Sequence, residues 1–295
     1  MKVRLGINPL TWSNDDLPSL GEETPLMTCL REARTAGYEG VELGNKFPRD
    51  AATLGPILAV HDLALVSGWY SARLLERDVE TEFAAMRPHL ELLLALDCEV
   101  MVVAEVSGCI HGDRAARLSR RPQMPRGRWA EFGGRLTALA ELMRARGMRL
   151  AFHHHMGTVV QSAQEVDALM TCTGPAVELL LDTGHLAFAG GDPADAARRH
   201  AARIAHVHCK DLRADVVEAA RNRDSSFLDA VLAGVFTVPG DGMVDYDAVL
   251  APLAAAGYRG WLVVEAEQDP AVAHPLTFAT LGQRNLSAAA HRHFA

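Results

Sequence analysis

The sequence predicts an α/β fold, a (β/α)8 TIM barrel formed as a single domain over residues 1–295, and three observations carry the prediction. Eight short apolar runs alternate with longer Ala/Leu/Arg/Glu-rich stretches, the pattern of repeated βα units around a parallel sheet. Four of those runs end on polar residues: His153 in RLAFHHHMGT, Asp182 in VELLLDTGH, His208 in IAHVHCKD and Glu265 in WLVVEAEQD. Carboxylates and imidazoles therefore collect at the rim of the sheet, where parallel α/β barrels keep their chemistry. The length of 295 residues also suits one barrel of about 250 residues with enlarged loops. A doubly wound open sheet is the alternative, because periodicity does not by itself join the first strand to the eighth.

In chain order the strands are VRLGIN, GVELG, LALVSGW, EVMVVAEV, RLAFHHH, VELLLD, IAHVHCK and GWLVVEAE. Between them, PLMTCLREARTAG, EFAAMRPHLELLLALD, RWAEFGGRLTALAELMRARG and YDAVLAPLAAAG repeat apolar residues at three-to-four spacing, and most end in Gly or a polar turn, as amphipathic helices do. Side chains alternate along a strand, so Ala205, Val207 and Cys209 are expected to face the helices and His206, His208 and Lys210 the interior. The same parity pairs Glu265 with Glu267 and His153 with His155. Asn8, Glu42 and Glu105 are expected in the mouth, whereas His154 is expected to be structural. Two segments interrupt the rhythm, 107–130 after the fourth strand and 211–246 after the seventh. Long loops on this face commonly cover substrate, so both are expected as lids, the plainer alternative being solvated surface loops.

A formal charge of -8 and no long Lys/Arg run argue against nucleic acid as a partner. No window approaches the roughly 18 apolar residues of a membrane span. The five cysteines lack CxxC spacing and MKVRLGINPL has no signal-peptide character, so reduced thiols and a cytoplasmic location are expected. Charge sets solubility and leaves homo-oligomer formation open.

Two imidazoles and two carboxylates at one rim make a mixed N/O set suited to a borderline divalent cation, Mn²⁺, Co²⁺ or Zn²⁺. A single His or Asp at a strand end is ordinarily a cap or a hydrogen-bonding residue, and Asp182 ahead of TGH also reads as a helix cap. It is the joint occurrence on successive strands with one parity that points to metal. Trp12 and Trp69, near strand ends, are read first as ordinary core packing, with stacking on the face of a bound ring as the alternative.

The segments GINPLTWSNDDLPSLG, GYEGVELGNKFPRD, HHHMGTVVQ, LDTGHLAFAGGDP, HVHCKD and PLTFATLGQRNL together resemble the inosose dehydratase (2-keto-myo-inositol dehydratase) family over almost the whole chain. More broadly, DTGH followed by HVHCKD is similar to the xylose-isomerase-like barrels, which include sugar epimerases and endonuclease IV. That resemblance implies one divalent metal bound by four residues of successive later strands. Asp182, His208 and Glu265 match the last three positions; the first, a Glu in the epimerases, falls on AFHHHMG, where His153 is assigned and His155 competes.

The resemblance implies dehydration of scyllo-inosose to a trihydroxycyclohexane-1,2-dione in inositol catabolism, with a divalent metal and, as a further family cofactor, glutathione. Such a reaction removes a proton beside a ketone and expels the neighbouring hydroxyl, so it needs a base and an acid. Glu265 or Glu267 is expected as the base, with Lys210 or His185 assisting the oxygens and His185 otherwise orienting a ligand. Asn8, Glu42, Lys46, Glu105, His155 and Asp211 are expected to bind the hydroxyls of a small keto-polyol. The rival readings are a sugar or keto-inositol isomerase or epimerase, which the missing first Glu disfavours, and a non-catalytic polyol- or metal-binding barrel, which the retained mouth carboxylates disfavour. An endonuclease IV-like action lacks the further metal ligands and the basic face.

Overall fold

The structure, a computed structural model, describes residues 3–125 and 127–295. Its barrel strands are β1 (Arg4–Ile7), β2 (Gly40–Leu43), β3 (Ala64–Ala72), β4 (Val100–Glu105), β5 (Arg149–His153), β6 (Val177–Asp182), β7 (Ile204–Cys209) and β10 (Trp261–Val264). A two-stranded antiparallel sheet of β8 (Asp211–Leu212) and β9 (Phe236–Thr237) lies outside the ring. All ring neighbours run parallel, in the order β1-β10-β7-β6-β5-β4-β3-β2. Closure comes from β1 on β10, with Arg4 opposite Trp261 and Ile7 opposite Val264. This contact excludes the open sheet.

The four predicted helices form at Leu26–Ala36, Val79–Ala95, Trp129–Arg144 and Tyr246–Ala255. Each buries its apolar stripe against the outer face of the ring; Phe132, Leu136, Leu139, Ala140 and Met143 are the stripe of the third. The interior is layered. At the bottom Val66, Trp261 and Val263 pack together, and the indole fits because β1 and β2 carry glycine there: a Cβ on Gly40 would sit 2.8 Å from the Trp261 ring. Beside them, on β4 to β7, lie Val100, Val102, Ala151, Leu180 and Ala205. Polar side chains occupy the top.

Two parity expectations need correction. Ala205 packs with that interior layer, because the β6–β7 pairing slips between Leu179–Ile204 and Leu180–His206, so one residue of β7 is skipped and the alternation breaks. Glu105 has the parity of Met101 and Val103, which face the helices. Its buried carboxylate accepts from Leu74 N at 2.7 Å and Ser107 N at 3.0 Å, so it ties loops together outside the mouth.

The two interrupting segments fold against each other. The first, apart from Arg126, which lies outside the described residues, is loop with one 3-10 turn at Leu118–Arg120 up to the start of the helix Trp129–Arg144. The second forms β8, β9 and the helices Ala214–Arg223 and Phe227–Leu232. Leu118 N donates to Ser225 O at 3.0 Å, Ser119 Oγ to Asp224 at 2.6 Å, and Arg114 pairs with Asp229. Phe188, Leu212, Val217, Phe227, Val231 and Phe236 belong to an apolar cluster of this region that is separate from the main core. Among the described residues, no helix is long and apolar enough to cross a membrane.

Candidate metal centre and active site

His153, Asp182, His208 and Glu265 converge at the top of the barrel, each offering one donor atom, all within 4.8 Å of one another. His153 Nε2 and His208 Nδ1 each lie 3.5 Å from Asp182 Oδ2, and His208 Nδ1 lies 2.8 Å from Glu265 Oε2. These are separations that donors can hold around one cation with bonds of roughly 2.0–2.2 Å. The local structure prepares each donor. His153 Nδ1 sits 2.8 Å from the carbonyl of His154, so it carries the proton and leaves the Nε2 lone pair facing the cluster. His208 Nε2 lies 3.1 Å from Glu42 Oε1, a carboxylate that fixes the opposite tautomer and leaves Nδ1 for a cation. Asp182 is both things its sequence context suggested. Its Oδ1 caps the helix Thr183–Phe188 by accepting from His185 N at 2.7 Å, while Oδ2 is buried without a hydrogen-bond partner among the described residues. Orphaned buried donors of this kind fit a divalent cation. His154 lies behind the centre, its Nε2 accepting from Asp182 N at 3.3 Å.

The charge balance is set locally. Burial works against ionisation of Asp182, but the neighbouring His185 and Lys210 and the contacts from His153 and His208 hold it well below the usual carboxylate range. Glu42 is lowered in the same way, against its burial, by His208 and His206. His208 is pulled down by burial and raised more strongly by Glu265 and Glu42, so without a cation it keeps a proton. Cation binding must displace that proton, and affinity falls as pH falls.

A second group, His155, His185 and Glu267, also comes within 4.8 Å. The ammonium of Lys210 sits in it, 3.0 Å from His185 Nε2 and 2.5 Å from Glu267 Oε1, and reaches Glu265 Oε1 at 2.6 Å. Burial would lower Lys210, but Glu265 and Glu267 raise it well above the usual lysine range, so it is a fixed internal cation. The glycine of DTGH makes room for it, since a Cβ on Gly184 would lie 2.5 Å from Lys210 Cγ. Glu267 remains pushed up to about 7 by burial, partly offset by Lys210.

Above the centre is a pocket of about 250 Å³, lined by Asn8, Asp15, Asp16, Glu42, Trp69, His111, His155, His208, Glu265 and Glu267 among others. Among the described residues that line it, five are carboxylic acids and none is Lys or Arg, which suits a cation and a hydroxylated ring and disfavours an anionic substrate. Asn8 is fixed by donating to Glu42 at 2.6 Å and Glu265 at 3.1 Å.

Several expected residues are placed elsewhere. Lys210 and His185 are fully buried behind the pocket wall, and neither lines it. Lys46 is held by the carbonyls of Gly21, Glu22 and Thr24, where it ties down the first loop. Asp211 accepts from the backbone of Leu212, Gly240 and Val244 and organises the loop that follows β9. Trp12 is core, its Nε1 donating to Glu32, but Trp69 lines the pocket with its ring 5.2 Å from His153 and 5.5 Å from His155. Asp15, Asp16 and His111 went unassigned in the sequence. The signal was the NDD run in the loop after the first strand and a lone His in the first interrupting segment.

The family of xylose isomerase-like TIM barrels matches residues 30–287, and the chain belongs to it. Within it the chain belongs with the inosose dehydratases: that of Geobacillus thermodenitrificans is 44% identical over 94% of this chain and 94% of its own length. The rhizopine catabolism protein MocC of Rhizobium meliloti is 55% identical over 97% of this chain and 88% of its own. Among solved structures, the IolI protein with a bound zinc atom superposes with a TM-score of 0.71 at 17% identity, covering 99% of this chain and 100% of that one, a likeness of fold.

Proposed function

We propose that the protein dehydrates scyllo-inosose, or a closely related keto-cyclitol, to a trihydroxycyclohexane-1,2-dione with the help of a divalent cation held by His153, Asp182, His208 and Glu265. The observation that carries this reading is the four-donor centre at the foot of an acidic pocket with no Lys or Arg among its described lining residues. Inosose dehydratases among its relatives support the substrate. When bound, the cation supplies Lewis acidity at the ketone oxygen and a template for the adjacent hydroxyl. The N/O donor set suits Mn²⁺, Co²⁺ or Zn²⁺.

The chain's own residues do the proton work. Glu267 lines the pocket with one oxygen held by Lys210, which aims the other at the ring, and it takes the proton beside the ketone. Asn8, Trp69 and His155 position the ring, His155 as an acceptor, because its Nδ1 is committed to Met156 O at 2.7 Å and burial keeps the ring neutral. The paired segments 107–130 and 211–246 act as a cover that excludes water. A substrate of rhizopine catabolism is the second reading, favoured by the 55% identity to MocC, and the same site serves it.

The test uses scyllo-inosose with metal-stripped protein and then with Mn²⁺, Co²⁺ or Zn²⁺ restored, following the ultraviolet absorbance of the conjugated enol of the dione. Absorbance that returns with the cation is the expected result. Folded protein that gives no absorbance with any cation excludes this substrate, and an isomeric ketone as product selects the isomerase reading.

A further inference from the structure

The geometry points to Asp16 as the acid that gives its proton to the departing hydroxyl, with His111 as the positioning residue that closes the pocket over it; the assignment rests on the dehydration proposed above. Loss of water needs a second proton transfer, one carbon away from the first. Lys210 and His185 are walled off from the pocket. His155 has its N–H tied to a carbonyl. Glu42 is occupied by Ser67, Asn8, His206 and His208, and His208 and Glu265 belong to the metal centre. What remains on the lining is Asp15, Asp16 and His111.

Asp16 is the best placed of these. Asp15 is exposed, whereas Asp16 is half-buried on a loop held rigid by the fully buried Asn14, whose Oδ1 accepts from Asp16 N and Leu17 N, both at 2.8 Å. Across the mouth, His111 Nε2 lies 3.7 Å from Asp16 Oδ1, joining the loop after β1 to the loop after β4. The His111 ring rests edge-on against His155 at 4.9 Å. Its backbone is anchored next door, where Ile110 N donates to Gly157 O at 3.0 Å. The proton is held where it is needed: burial first, then the charges of Asp15 and Glu265, push the Asp16 carboxyl up to about 6 against the pull of Lys210.

The step balances. Glu267 takes the proton from the carbon beside the ketone, and the C–H pair shifts toward the ketone oxygen to give an enolate; its return re-forms the ketone and makes the new double bond to the next carbon. The bond from the next carbon to its hydroxyl breaks, the oxygen leaves with the pair, and the Asp16 carboxyl proton completes a water molecule. Asp16 is left as a carboxylate and regains a proton from solvent as Glu267 releases one.

The experiment compares Mn²⁺-loaded wild type, Asp16→Asn and His111→Gln in D₂O, measuring deuterium exchange beside the ketone of scyllo-inosose by NMR and dione formation by absorbance. Asp16→Asn is expected to lower dehydration by about 10²- to 10⁴-fold with KM little changed and exchange retained. The retained exchange also shows that the fold and the centre are intact. A keto-cyclitol bearing fluoride in place of the leaving hydroxyl, which departs without a proton, restores elimination by Asp16→Asn to near the wild-type rate. His111→Gln lowers dehydration by about tenfold and also keeps exchange. Dehydration at the wild-type rate by Asp16→Asn overturns the assignment, as does joint loss of exchange and of fluoride elimination in a variant with the wild-type melting temperature. Wild-type protein that neither exchanges nor dehydrates overturns the substrate reading instead, and the assignment with it.

Discussion

Replacing His208 with alanine is expected to empty the metal centre and lower turnover by on the order of 10³. His208 stands between Glu42 at 3.1 Å, Glu265 at 2.8 Å and Asp182 at 3.5 Å. Its removal deletes one donor and leaves three buried carboxylates facing one another. Electrostatic repulsion then destabilises the top of the barrel as well as the cation, so a second variant separates the two effects. Glu42→Gln keeps all four donors and loses only the carboxylate that orients His208, for which a loss of roughly 10- to 100-fold in cation affinity is expected. Elemental analysis of dialysed protein and kcat with added Mn²⁺ check both. A His208→Ala protein that retains one cation per chain would contradict the donor assignment.

Glu267→Gln should do the opposite: keep the cation and lose the chemistry. The substitution leaves His153, Asp182, His208 and Glu265 untouched, and Lys210 stays anchored on Glu265 at 2.6 Å. The expected fall is about 10²- to 10⁴-fold in kcat and kcat/KM together, because the lost interaction exists only as the proton moves. Deuterium exchange beside the ketone disappears along with dehydration, which separates this variant from Asp16→Asn. Full turnover by Glu267→Gln would move the base to Glu265.

Much of this was legible in the sequence, because strand parity and the apolar-to-polar switch at strand ends are local properties that survive folding. The eight barrel strands and the four-residue convergence at the rim follow from them. Parity encodes the face of a strand, however, and not the depth of a side chain along the barrel axis. Lys210 and His185 have polar character and sit next to the centre, yet the wall encloses them. Lys46 is spent on backbone carbonyls of the loop after β1 and Asp211 largely on backbone amides of the loop after β9, which no spacing rule reveals. Ala205 was misplaced by a slipped register between β6 and β7, a feature of pairing between strands. The choice between His153 and His155 was likewise beyond periodicity, since both share a face; in the structure His153 lies with the four donors and His155 on the pocket wall. Asp16 and His111 come from loops 95 residues apart in numbering, and only the fold brings them together.

The most direct test of the account is anomalous diffraction from crystals grown with Mn²⁺, recorded on both sides of the manganese edge. One peak among His153 Nε2, Asp182 Oδ2, His208 Nδ1 and Glu265 Oε2 is the predicted result. A peak displaced to His155, His185 and Glu267, or none at the top of the barrel, would contradict it.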